Sequence, residues 1–271
     1  VFPDPCNNPR PIAKNSRKGT RMKPLKAIFF NPNPRSMALI SPVVSLFFSI
    51  FGKHGIEMRF FDTSFYDFSE DHANSDKFLQ TNLVIKAFDG KYKERMRDVP
   101  RHETHSNDVC ADFRREVEEF QPDVVMGSAM ESTIMLARRL FRGVRDLGLP
   151  HVLGGVFPTF APEVAITFDE VDIICRGEGE GIIVPLVRML AEGKDVFGLS
   201  GIWTKNQDGS VNRGTVAPPV DLNENPRFDA SIFHESRFHR AMSGNIYRMF
   251  PVETHRGCPL KCTFCNSPIQ D

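Results

Sequence analysis

Neither sign of charge is in surplus: Lys and Arg together number 34, and so do Asp and Glu, for a formal net charge of zero over 271 residues. A nucleic-acid binder normally carries a basic face, and an acidic solvating tail needs a block of like charge, so both classes are excluded. Tryptophan and tyrosine are scarce, one and three beside 24 phenylalanines. An aromatic core built this way has few polar tips to satisfy and can be large and apolar. Long apolar runs are missing as well. The longest uncharged stretch, residues 37–51, contains Pro42 and three serines and falls short of the roughly 20 residues a membrane span requires. It predicts a buried helix and no membrane span. Residues 1–24, VFPDPCNNPRPIAKNSRKGTRMKP, hold no apolar h-region of a secretory signal. Residues 1–23 are expected to be a disordered leader, with Met22 as the natural start, and the protein to be cytoplasmic.

What is present has the 41% hydrophobic and 25% charged balance of a globular protein. Apolar runs at 25–30 (LKAIFF), 57–63 (EMRFFDT), 124–126, 151–153 and 172–175 read as strands, several ended by Gly, Pro or Asn. Between them lie helical patterns. Val109, Phe113, Val117 and Phe120 share one face, and Ile134, Ala137, Leu140, Phe141, Val144 and Leu147 share another. A last helix is expected over 182–192, and residues 66–107 form a polar insertion. Strands alternating with helices make a parallel, doubly wound five-stranded sheet over residues 24–200. In such a sheet every strand-to-helix loop lies on the carboxyl edge, where ligands bind. The loops 31–34, 127–131, 154–159 and 177–181 therefore converge on one crevice.

Several side chains in and near these loops have plain structural explanations. Ser128-x-x-Glu131 is a capping box for the helix that follows, and the glycines serve as turns. Arg138, Arg139, Arg142 and Arg145 form a solvent-facing row. His102 and His105 lie in the insertion without metal-ligating neighbours. Residues 201–245 read as a hairpin around Asp208-Gly209 and a linker, and a new strand starts at 246.

Six cysteines occur, and Cys6, Cys110 and Cys175 are scattered. The other three form Cys258-x-x-x-Cys262-x-x-Cys265 directly after that strand. Three thiolates on one short loop can ligate three irons of a [4Fe–4S] cluster and leave the fourth iron open. A zinc site completed by His255 is the competing explanation, although zinc favours paired C-x₂₋₄-C elements.

The segment Glu253-Thr254-His255-Arg256-Gly257-Cys258-Pro259-Leu260-Lys261-Cys262-Thr263-Phe264-Cys265 resembles the cluster loop of radical S-adenosylmethionine (SAM) enzymes. Upstream, Gly127-Ser128, Leu153-Gly154-Gly155-Val156-Phe157-Pro158-Thr159 and the stretch from Val171 to Glu180 resemble the cobalamin-binding domain that precedes the radical SAM barrel in one large subfamily. The resemblance implies a flavodoxin-like cobalamin-binding domain followed, from residue 246, by the start of a truncated radical SAM α/β barrel. It implies that Cys258, Cys262 and Cys265 hold a [4Fe–4S] cluster, with Phe264 beside SAM. It also implies that Ser128, Glu131, Ser132, Gly154, Gly155, Gly177, Glu178 and Gly179 contact cobalamin. Cleavage of SAM to a 5′-deoxyadenosyl radical, methyl transfer to an unactivated carbon, a small-molecule or lipid-like substrate and a one-electron reductant such as flavodoxin or ferredoxin follow from the same likeness. One departure stands out. Many cobalamin domains carry D-x-H-x-x-G after the first strand, with the histidine as an axial ligand to cobalt. Here the loop reads Asn31-Pro32-Asn33-Pro34-Arg35-Ser36, so cobalamin would bind without that ligand. The alternative function is a non-catalytic flavodoxin-like binding module whose cysteine loop holds zinc.

Overall fold

The computed structural model describes residues 23–33, 40–66, 108–206, 208–242, 245–258 and 260–265. The proposed leader up to residue 22, residues 67–107 of the proposed insertion, His102, His105 and Pro259 lie outside them. Among the described residues the strands β1 (Leu25–Phe30), β2 (Ile56–Phe61), β3 (Val124–Ser128), β4 (His151–Gly154) and β5 (Ile173–Cys175) pair in parallel, in the order β2-β1-β3-β4-β5. This is the flavodoxin-like order expected of a doubly wound sheet. Two further strands, β6 (Ile202–Lys205) and β7 (Val211–Arg213), extend it antiparallel beyond β5 to seven strands. The hairpin expected around Asp208-Gly209 is thus part of the same sheet.

Both faces of the sheet are covered, and strand residues alternate between two cores as the two-residue period requires. Ala27, Phe29, Val124, Met126, Val152 and Ile173 point into one core, together with helices α1 (Pro42–Lys53) and, later in the chain, Ile183–Ala191. Ile28, Phe30, Val125, Leu153 and Ile174 point into the other, against α2 (Val109–Phe120) and α3 (Ile134–Gly143). The Phe30 ring meets Phe113 and Phe141 edge-on, at 5.4 and 4.9 Å between centroids. Strands buried on both faces need apolar residues at every position, which explains why the runs LKAIFF and VVM do not alternate in sequence.

Helix α1 arises from the long uncharged stretch, with Pro42 at its first turn. There the missing N–H costs nothing, so the proline that interrupts the apolar run starts the helix. Helix α2 is capped by Asp108, whose carboxylate accepts the Ala111 amide at 2.9 Å, and it ends at Gln121 in the left-handed region, φ 52°. Short helices α4 (Val156–Phe160) and α5 (Pro162–Ala165) follow β4, and α6 (Ile183–Ala191) follows β5.

Two expectations are corrected. Ser128 and Glu131 do not form a capping box: Ser128 is the last residue of β3, paired with Gly154, and α3 begins only at Ile134. Parallel pairing keeps Ser128 extended, so the helix can start only after the chain has cleared the sheet edge. The turn is closed instead by Thr133, whose Oγ1 accepts the Met130 amide at 3.1 Å. Arg138 and Arg142 of α3, and Arg145 just past its end, are not a free solvent-facing row either. Arg138 and Arg142 both bond Glu170, whose side chain is only 5% exposed, and Arg145 forks onto Asp172 with both bonds at 2.7 Å. Burial opposes ionisation of Glu170, but Arg142 and Arg138 outweigh it and hold the carboxyl below its usual range. These pairs fasten α3 to the chain entering β5.

The stretch after β7 packs back on the domain. Phe233 and Phe238 are buried in the α1 core. Arg237 is buried and bonded to Asp62 and to Ser64 beyond β2. A two-stranded antiparallel ribbon, β8 (His239–Met242) and β9 (Asn245–Arg248), then leads toward the cysteines.

Candidate functional site

The carboxyl ends of β1, β3, β4 and β5 open onto a cavity of about 1150 Å³. Its floor is apolar, with Phe29, Leu46, Phe47, Met126, Val152 and Ile183 among the lining residues. Its rim is made of the strand-to-helix loops: Asn31 and Asn33 after β1, Gly127 and Ser128 at the end of β3, Gly154, Gly155 and Thr159 after β4, and Arg176, Gly177, Glu178, Gly179 and Glu180 after β5. Topology alone placed these loops on one edge, and the cavity lies where the strand order reverses.

The loops are braced against each other by short polar links. The Ala129 amide donates to the Gly154 carbonyl at 3.0 Å, and the Phe157 amide to the Ala129 carbonyl at 3.0 Å. Thr159 Oγ1 donates to the Gly155 carbonyl at 2.8 Å and accepts from the Gly177 amide at 3.2 Å. Thr159 therefore joins the third and fourth loops. Gly155 has φ 97°, and a Cβ there would stand 2.6 Å from Ser128 Oγ and 2.8 Å from the Ala129 nitrogen. Only glycine fits that position. Gly179 is pressed on Phe47, where a Cβ would come within 2.9 Å of the ring. These two glycines let the backbone line the cavity closely, the kind of wall a large, flat cofactor needs.

Of the eight residues expected at cobalamin, six line the cavity: Ser128, Gly154, Gly155, Gly177, Glu178 and Gly179. Glu131 and Ser132 are exposed on the turn before α3, and neither is among the lining residues. Others of the wall were absent from that set. Phe160, Arg176, Glu180, Val216, Ala217 and Pro219 border the cavity, as do Glu253, His255, Arg256 and Gly257. Arg176 and Glu180 belong to the stretch from Val171 to Glu180 and could have been added from the sequence. The remainder come from segments whose proximity no local pattern encodes. Cys175 also borders the cavity, and burial, with Glu180 adding to it, pushes its thiol up to about 12. It is an inert core residue at neutral pH.

Residues 253–257 form the outer wall and run directly into the cysteine loop. All three thiols, Cys258, Cys262 and Cys265, are reduced. Cys258 and Cys265 are half-buried and Cys262 is exposed, while Phe264 is 89% exposed. The Cys265 amide donates to the Cys262 carbonyl at 3.1 Å, making a tight turn between these two ligand candidates. Among the described residues no three His, Cys, Asp or Glu side chains are gathered as a metal-holding group. The donor set suits an iron–sulfur cluster in residue type and spacing. From the loop after β1, Asn31 and Asn33 stand on the rim, and Asn31 Nδ2 donates to Ser41 Oγ at 2.9 Å.

A flavodoxin-like sheet with a glycine-lined cavity at its switch point defines a cofactor-binding α/β domain. Residues 81–187 match the model of the B12 binding domain. The chain is similar to an uncharacterized methyltransferase of Pyrococcus horikoshii, 29% identical over 171 residues that cover 59% of this chain and 35% of the relative. It is similar as well to the anaerobic magnesium-protoporphyrin IX monomethyl ester cyclase of Rubrivivax gelatinosus, 28% identical over 59% of this chain and 30% of the relative. The chain thus spans about a third of the length of these curated relatives. Its fold is like that of the cobalamin-dependent SAM radical enzyme OxsB with aqua-cobalamin and SAM bound, with TM-score 0.53 and 15% identity over 78% of this chain and 25% of that one. The resemblance read from the sequence, to cobalamin-domain radical SAM enzymes, is borne out. Among the described residues no helix is long and apolar enough to cross a membrane.

Proposed function

We propose that this chain is the cobalamin-binding and cluster-loop part of a cobalamin-dependent radical SAM enzyme that transfers a methyl group to an unactivated carbon of a small-molecule or lipid-like substrate. The observation that carries this reading is the continuity of the cavity wall with the cysteine loop. Glu253, His255, Arg256 and Gly257 close the carboxyl-edge cavity and are followed at once by Cys258. One segment thereby serves two neighbouring cofactor sites.

Ser128, Gly154, Gly155, Gly177, Glu178 and Gly179 would hold cobalamin, with Glu131 and Ser132 on the adjoining exposed turn. Cys258, Cys262 and Cys265 would ligate the cluster, and Phe264 would lie beside SAM. When bound, these cofactors supply the electron that cleaves SAM and the carrier for the methyl group, as cofactors generally supply the hard chemistry. The chain itself shapes the apolar floor, and Gly155 and Gly179 let the backbone of the rim stand close to whatever the cavity holds. From the loop after β1 it offers cobalt no imidazole. The electron would come from a flavodoxin- or ferredoxin-type reductant, and the protein would work in the cytoplasm.

Equilibrium dialysis of the chain with hydroxocobalamin, followed by anaerobic reconstitution with iron and sulfide, tests this reading. Saturable cobalamin binding with a spectrum free of histidine ligation is expected, with about four irons per chain. Cys258→Ser should lose the iron and keep the cobalamin. Zinc uptake without cobalamin binding would overturn the reading in favour of a non-catalytic flavodoxin-like module.

A further inference from the structure

Arg256 lies two residues before Cys258, and three carboxylates share its guanidinium. Nε and Nη2 fork onto Glu253, each at 2.9 Å. Nη1 is 3.2 Å from Glu178, and Nη2 is 2.5 Å from Glu180. The Glu253 pair is local and shapes only the segment it belongs to. The other two cross to the loop after β5, so they tie the base of the cysteine loop to the rim of the cavity. Their anchors are themselves fixed. Glu178 accepts the Val220 amide at 2.6 Å, the Glu180 side chain is 7% exposed, and Gly179 between them abuts Phe47.

Among the described residues, few apolar contacts join this segment to the domain. The Phe250 ring packs near Phe228 and Phe238, with centroids 6.3 and 6.4 Å away, but among the described residues past it no large apolar side chain is buried. Val252 is 77% exposed, Leu260 63% and Phe264 89%. Gly257, immediately after the clamp, has φ 82°, in the left-handed region. A planar fork with five donors suits this task, because its four contacts to the three carboxylates outnumber the three N–H donors of an ammonium.

We infer that Arg256 is a positioning residue. By joining Glu253 to Glu178 and Glu180, it fixes the cysteine loop against the loop after β5 and so sets where the thiols stand relative to the cavity. Without its charge, two carboxylates on one wall would face a third on the other, and the clamp would become repulsive. The inference deepens the proposed function and rests on it for its chemical meaning, but the first part of its test does not require any cofactor.

Amide hydrogen exchange of the unloaded chain is that first measurement. Arg256→Gln should raise exchange across residues 254–265 about tenfold, the change produced by about 1.4 kcal/mol of lost local stability, while amides of β1, β3 and β4 keep their wild-type rates. Glu180→Gln should act on the same segment and serves as the second variant if Arg256→Gln folds poorly. The double variant should exchange no faster than the worse single one, since both break the same contact. Wild-type exchange in Arg256→Gln, or full additivity in the double variant, would overturn the inference. The second measurement separates positioning from mere stabilisation. In the reconstituted chain, magnetic coupling between cob(II)alamin and the reduced cluster reports their separation. Arg256→Gln should weaken or broaden that coupling at unchanged iron and cobalamin content, and unaltered coupling would overturn the inference. A wild-type chain that takes up neither cofactor would sink the proposed function and leave the exchange result to decide the role of Arg256.

Discussion

In β1, Ala27, Ile28, Phe29 and Phe30 are each at most 2% exposed, whereas in the cysteine loop Leu260 is 63% and Phe264 89% exposed. The strand is held by apolar burial on both faces and by neighbours on both sides. The loop is held at its base by charge, through Arg256, and presents its thiols on a segment with little buried surface. The difference shows two sources of order in one chain. The sheet draws its order chiefly from strand pairing and from apolar packing on both faces. If the three cysteines take up a cluster as proposed, the loop would gain order from it, because gathering metal ligands converts binding energy into folding energy.

Substitutions of one kind in the two regions should break this symmetry most clearly. Phe30→Ala removes a ring packed between Phe113 and Phe141 and should cost roughly 3–5 kcal/mol, read as a lowered denaturation midpoint. The next largest effect concerns His151, at the start of β4. It is fully buried and stacked on Phe141, and its Nδ1 lies 2.8 Å from the Glu170 carbonyl, while Nε2 has no partner. Burial pushes this imidazole down from 6.5 to about 4. Between those values the unfolded chain takes up a proton that the folded chain refuses, so stability should fall as pH drops through that window. The full loss is about 3 kcal/mol. Urea titrations at pH 7, 5.5 and 4 should show this slope in the wild type and a shallower one in His151→Phe.

Gly155→Ala sharpens the comparison at the boundary of the two regions. A Cβ placed at φ 97° against Ser128 and Ala129 should cost about 1–3 kcal/mol. Because the rim must shift to admit it, hydroxocobalamin affinity should fall too, by dialysis. The smallest effect belongs to Phe264→Ala. At that exposure the melting temperature should move by no more than about 0.5 kcal/mol permits, while SAM affinity of the reconstituted chain drops. A large loss of stability here would show that the loop is packed after all and that the contrast with β1 is wrong.

Much of the fold was legible because its code is local. VVM and IIC are apolar at every position and LKAIFF at every position but Lys26, and the faces of α2 and α3 repeat at helical spacing, so strands, helices and a parallel sheet follow from period and length. Converging loops follow from topology. The capping box was misread because Ser128 has two possible partners, a helix amide and the neighbouring strand, and only pairing with Gly154 decides between them. The arginines of α3 were misread because Glu170 and Asp172 lie on a different element. In the site, the glycine loops and the cysteine spacing were visible as motifs, whereas the wall contributed by Ala217, Pro219 and Glu253 was not.

The sequence by itself determined the parallel α/β sheet, the edge on which the loops meet and the three thiols on one short loop, because each is fixed by residue type and by spacing along the chain. The tertiary structure alone decided that the hairpin Ile202–Arg213 extends that sheet, that Arg237 anchors the returning chain at Asp62 and that Arg256 joins the cysteine loop to Glu178 and Glu180. Those contacts link residues far apart in sequence, and their energy comes from burial and charge pairing that exist only once the chain has closed on itself.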